Sequence, residues 1–135
     1  EDASVLNQVS IHGNVEVNND NNFLKDHVLI WGDVIVNGTL KIDNYYNSDT
    51  ISGKFTNLGK VDFSSDQNVV YFFDNVENKG IWNDGEVHLA GQNDQHFNFA
   101  PDKKPSRTKV KMHVHSAGPY KWFKDGQQMN TTADS

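Results

Sequence analysis

The feature that most constrains this chain is a gapless internal repeat. The segment "IWGDVIVNGTLKI" (Ile30–Ile42) aligns with "ISGKFTNLGKVDF" (Ile51–Phe63) at an offset of 21 residues. Ile30, Gly32, Val34, Gly38, Leu40 and Ile42 fall on Ile51, Gly53, Phe55, Gly59, Val61 and Phe63. "IHGNVEV" (Ile11–Val17) is an earlier partial copy at an offset of 19, and "IWNDGEVHL" (Ile81–Leu89) reads as a later one at an offset of 26. Persistent Gly and apolar positions with slightly unequal spacing indicate stacked units joined by loops of different length. A fainter echo, "DQNVVYFF" (Asp66–Phe73) and "DQHFNF" (Asp94–Phe99), supplies a further short strand per unit.

Within each copy apolar residues alternate with small or polar ones, so the units are strands and helical repeats are excluded. The prediction is an all-β fold, a short parallel β-solenoid of about four coils. Equivalent residues then form columns along the axis. Val15, Val34, Phe55 and Ile81 make one inward column; Leu40, Val61 and Val87 a second; Ile42, Phe63 and Leu89 a third. Thr39, Lys60 and Glu86, and Lys41, Asp62 and His88, fall outward, with opposite charges on adjacent rungs. Val17, Val36, Asn57 and Asn83 form a mixed column in which two amides can stack. The alternative is a β-sandwich, in which Asn37-Gly38 is a hairpin turn.

The composition fits a narrow core. Only 36% of the 135 residues are hydrophobic, and 17 Asn and 14 Asp favour turns over helices. No apolar run is long enough for a membrane span, so membrane insertion is not expected. With no cysteine, disulfides and zinc-thiolate sites are excluded. Residues 1–100 carry a net charge of −10 and residues 101–135 one of +4. An acidic body argues against nucleic acid as a partner. The chain begins at Glu1 without Met or a signal peptide, the expectation being a processed or excised piece of a larger surface protein.

The pattern "NGTLKI…GKFTNLGKVDF…NKGIWNDGEVHL" resembles the Gly- and Asn-rich coils of right-handed parallel β-helices in bacterial surface proteins, such as filamentous haemagglutinin-like adhesins. The resemblance spans about residues 11–99. It implies an extracellular or cell-surface location, a structural or adhesive role and no catalytic residues to transfer. "GDVIVNG" (Gly32–Gly38) is also similar to the rungs of bactofilins, whose coils are more regular than these.

The tail departs from the repeat, giving solenoid coils over 1–100 and a capping segment of the same domain over 101–135. "KVKMHVH" reads as a strand, and "YKWFKDGQQM" as a strand followed by a Lys124-Asp125-Gly126 turn. A β-hairpin covering the last coil accounts for both.

Few constellations suggest chemistry. His113 and His115 form an H-x-H on one strand face, the spacing for a shared metal. Lys109 and Lys111 occupy the same face and repel a cation, so no metal or other cofactor is expected. Asp and Asn clusters such as "NNDNN" (Asn18–Asn22) match no EF-hand spacing and read as turns. Aromatic residues are the better lead. Trp82 falls in an outward column, and Tyr45-Tyr46 sits in a polar loop; these three are the candidate ligand-binding residues. Trp31 reads as lining a corner of the core and Trp122 as packing under the cap.

The functional expectation is a non-enzymatic structural or adhesive module of a secreted or surface protein, bacterial or phage, meeting a glycan or a host surface protein. The alternatives are a carbohydrate-binding module using exposed aromatics and a polysaccharide-cleaving β-helix enzyme.

Overall fold

The computed structural model describes residues 4–44 and 47–113, and the strand backbones of 122–124 and 127–129. The chain winds as a parallel β-solenoid of about five coils, each contributing one short strand to each of three sheets. The first coil comprises β1 (Ser4–Leu6), β2 (Ser10–His12) and β3 (Val15–Val17). The second comprises β4 (Asn22–Leu24), β5 (Leu29–Trp31) and β6 (Val34–Val36), and the third β7 (Thr39–Ile42), β8 (Ser48–Ile51) and β9 (Phe55–Asn57). The fourth holds β10 (Lys60–Phe63), β11 (Val69–Phe72) and β12 (Val76–Asn78), and the fifth β13 (Ile81–Asn83), β14 (Glu86–Leu89) and β15 (Phe97–Phe99). Sheet A stacks β1-β4-β7-β10-β13, sheet B β2-β5-β8-β11-β14 and sheet C β3-β6-β9-β12-β15.

After a 3₁₀ turn at Pro101–Lys103, β16 (Lys109–Met112) adds a sixth parallel strand to sheet B. The tail strand "KVKM" is therefore another rung of the coil rather than an arm of a hairpin. The hairpin itself is β17 (Trp122–Lys124) against β18 (Gln127–Met129), antiparallel, as expected for the end of the chain.

Three residues of strand per face set the core. The alternation turns one or two side chains per strand to the axis, and these stack in columns. Val15, Val34, Phe55, Val76 and Phe97 form one column of sheet C. Leu40, Val61 and Trp82 form one of sheet A, and Ile11, Ile30, Ile51, Phe72, Leu89 and Met112 run the length of sheet B.

The predicted columns hold through the third copy and fail at the fourth. At an offset of 21 the next copy of "ISGKFTNLGKVDF" is Phe72–Asp84, not Ile81–Leu89. Ile81 pairs with Lys60, and its side chain faces outward, 53% exposed. Val87 and Leu89 belong to sheet B beside Val70 and Phe72, and Glu86 and His88 go with them, so the inferred Lys60–Glu86 pair does not exist. The cause is a shortened corner. In the third and fourth coils the passage from sheet A to sheet B takes Asp43–Asn47 and Ser64–Asn68, but in the fifth only Asp84 and Gly85, both at positive φ (63° and 86°). Gly85 thus marks a different corner from Gly38 and Gly59.

Corner chemistry explains the Asn and Asp content. The Asn14 side chain accepts from the Asp33 backbone N–H (2.9 Å), Asp33 from Lys54 (2.8 Å) and Asn75 from His96 (2.8 Å). Each satisfies a backbone donor in the next coil, where a corner leaves the sheet ladder.

Candidate functional site

The outer face of sheet B gathers most of the described histidines and exposed rings. One outward column is Ser48–Val69–Glu86–Lys109, and the next Ser10–Leu29–Thr50–Tyr71–His88–Lys111. A third follows the inward isoleucine column by one residue. It contains His12 and Trp31, paired in the ladder, then Ser52, Phe73, Ala90 and His113, whose backbone N–H groups continue the register onto the coil below.

At the C-terminal end of this face lies a hydrogen-bonded relay. His88 Nε2 is 2.6 Å from Glu86 Oε2, and His88 Nδ1 is 2.8 Å from His113 Nε2. Glu86 is ionised. Burial alone would raise its pKa, but the His88 hydrogen bond and the charges of Lys111, His88 and Lys109 outweigh burial and hold it below the usual carboxylate range. An ionised carboxylate only accepts, so His88 donates to Glu86 from Nε2, and its Nδ1 shares a hydrogen bond with His113 Nε2. Tyr71 stacks on the His88 ring at 4.3 Å, and Lys111 Nζ lies 3.7 Å from Glu86 Oε1. The histidine expected beside His113 was His115, which lies outside the described residues; the neighbour found is His88, from the coil below. Among the described residues no group of three His, Asp or Glu side chains is placed to hold a metal ion.

Toward the N-terminal coils the face becomes aromatic. Trp31 is 50% exposed, its ring stacked parallel to His12 at 6.3 Å. Phe73 is 46% exposed and lies two rungs further, about 10 Å at the ordinary strand spacing. Trp31 therefore faces solvent instead of lining the core, as its neighbour Ile30 required by pointing in.

Trp82 is the opposite case. It is 1% exposed and sits in the core, with ring centroids 5.1 Å from Phe97, 5.6 Å from Phe55, 6.0 Å from Phe63 and 6.2 Å from Phe72. Its expected outward position came from aligning Ile81 with Phe55, and the true partner of Trp82 is the inward Val61. It offers no face to a ligand. Tyr45 and Tyr46 lie outside the described residues. Tyr71, Phe73, Glu86 and His88 join this face without a sequence motif that marks them as site residues. Phe73 was recoverable from alternation, because Phe72 follows Ile51 in the inward column.

Among the described residues, no helix is long and apolar enough to cross a membrane. No protein-family model matches the chain, and neither a curated protein nor a solved structure matches it.

Proposed function

We propose that the chain is a non-enzymatic adhesive module of an extracellular or cell-surface protein, whose rigid solenoid presents the outer face of sheet B to carbohydrate. One observation supports this reading above others. Trp31 and Phe73 expose large flat rings in one column of the sheet, two rungs apart, whereas Trp82, Phe55, Phe63 and Phe72 are enclosed. Leaving two rings in water forgoes the stabilisation of burying them, and exposed ring faces suit sugar rings, which stack on aromatics through their C–H surfaces. The parallel ladder fixes the ring spacing, so little order is lost on binding.

Glycan-array binding followed by titration of tryptophan fluorescence tests it. The expected result is binding to a subset of glycans that is lost in Trp31→Ala and Phe73→Ala with melting temperature retained. Absence of binding to every glycan class, or binding unchanged in both variants, would refute the reading. Release of reducing ends from a polysaccharide would instead identify an enzyme.

A further inference from the structure

We infer that the glycan held on sheet B is an acidic oligosaccharide lying along the solenoid axis, its sugar faces on Trp31 and Phe73 and its anionic groups over Lys109 and Lys111. The inference rests on the carbohydrate reading and names its class.

Register carries the first part of the argument. Trp31 is on the second rung of sheet B, Phe73 on the fourth, and Lys109 and Lys111 on the sixth. Each step is two rungs, about 10 Å. The ring column continues to His113 on the sixth rung, so a ligand extended along the axis and stacked on both rings arrives there with Lys111 and Lys109 to one side, two and four residues back along the strand. A ligand lying across the sheet would meet one ring and no lysine.

Charge carries the second part. Residues 1–100 have a net charge of −10. Yet in the three outward columns of this face the side chains of ordinary fixed charge are Glu86, Lys109 and Lys111. Glu86 is already engaged by the His88 N–H at 2.6 Å. Lys111 Nζ is 3.7 Å from Glu86 and Lys109 Nζ is 3.8 Å from Asp66, both beyond hydrogen-bond range, and both ammonium groups are exposed. They keep donors for an incoming carboxylate or sulfate. Between the rung of Phe73 and that of the lysines the face is polar: Tyr71, beside Phe73 on the fourth rung, stacks on His88 of the fifth, which is 7% exposed. An anionic chain would offer both ammonium groups closer partners than Asp66 and Glu86 now give them, so the face favours an anionic chain over a neutral one.

The test compares three oligosaccharides of equal length by calorimetry and tryptophan fluorescence: a neutral β-linked glucan, a polyuronate and a sulfated chain. At low salt at least one acidic ligand should bind about tenfold tighter than the neutral one, a difference of about 1.4 kcal/mol, and the advantage should shrink as salt is added. Lys109→Gln/Lys111→Gln should abolish that advantage while leaving affinity for the neutral chain unchanged. Which acidic chain wins distinguishes carboxylate from sulfate. Equal affinity for neutral and acidic chains would overturn the acidic inference and leave the carbohydrate reading intact. Binding of none would remove both. If the double variant fails to fold, the wild-type salt series still decides, because an affinity for the acidic chain that ignores salt would overturn the inference.

Discussion

The Asn57 side chain donates to Asn78 Oδ1 at 2.7 Å, one coil further along the axis, and both amides are fully enclosed. They continue the column that begins with Val17 and Val36, so the solenoid exchanges an apolar seam for an amide ladder halfway along. Every amide group is used. Asn57 Nδ2 also reaches the Ile81 carbonyl (2.8 Å), its Oδ1 accepts from Gly59 N–H (3.1 Å), and Asn78 Nδ2 reaches the Lys103 carbonyl (2.7 Å). The ladder thereby ties the corner after sheet C to the coil above.

Asn57→Ala should consequently destabilise by about 2 kcal/mol or more, because it strands buried partners as well as leaving a void. Asn78→Ala should behave alike. In a double-mutant cycle by urea unfolding the two should couple by about 1 kcal/mol. Additive losses would mean that the amides act separately through their backbone bonds.

Trp82 makes a second, sharper case. Its indole Nε1 is buried and finds no hydrogen-bond partner among the described residues, while four phenylalanine rings surround the rest of the side chain. Trp82→Phe removes an orphaned donor worth about 1–3 kcal/mol and leaves only a small void, so the two effects nearly cancel. Stability within about 1 kcal/mol of wild type is expected. Trp82→Ala should lose about 3–5 kcal/mol. Acrylamide quenching adds a check: the accessible emission should survive in Trp82→Phe and fall in Trp31→Ala.

The sequence was legible wherever coils are of equal length. Val34 above Phe55, Leu40 above Val61 and Ile42 above Phe63 follow from a constant offset of 21, because parallel ladders stack equivalent residues without a shift. Legibility ended at Asp84-Gly85. A glycine followed by a charged and then an apolar residue looks the same at the two-residue corner (Gly85-Glu86-Val87) as at the corner holding Gly59 (Gly59-Lys60-Val61), yet it moves the next strand onto a different sheet. That one slip placed Trp82 outside and Ile81 inside. The His88–His113 contact was hidden for a related reason: the two residues are 25 apart and meet only if the fifth coil is shortened and a sixth rung follows. Trp31 is different, since alternation from Ile30 already sent it outward.

Gly59 offers a prediction about coil spacing. A Cβ built there would strike the Gly38 carbonyl oxygen, one at Gly80 the Gly59 carbonyl oxygen, and one at Gly38 that of Asn19. The obstacle is backbone on backbone, so no side chain can swing aside. Replacing Gly by Ala at a compatible position ordinarily stabilises by about 0.4–1 kcal/mol. Gly59→Ala should instead cost about 1–3 kcal/mol by forcing adjacent corners apart. A melting temperature equal to or above wild type would show that the corners have room to separate.

Asp49 sets the pH response. It occupies the inward valine column of sheet B, beside Val70, and is fully enclosed. Burial pushes its pKa up from 3.8 to about 6, helped by the charge of Asp26. Hydrogen bonds from the Val28 N–H and the Asn44 amide (each 2.8 Å) and the charge of His27 pull the other way without prevailing. A raised folded-state pKa means that the folded protein holds this proton more tightly than the unfolded chain. The associated stability is complete below about pH 4 and is lost as pH climbs through about 6. Two units correspond to about 3 kcal/mol at most. Glu86, with its pKa lowered, acts in the opposite sense and below this window. Urea unfolding at intervals from pH 4.5 to 7.5 should therefore show stability declining toward neutrality. In Asp49→Asn that decline should flatten. The variant's gain at neutral pH should stay below the full 3 kcal/mol, because its new NH₂ group faces the Asn44 Nδ2 donor. An identical slope in wild type and Asp49→Asn would show that Asp49 does not set the dependence.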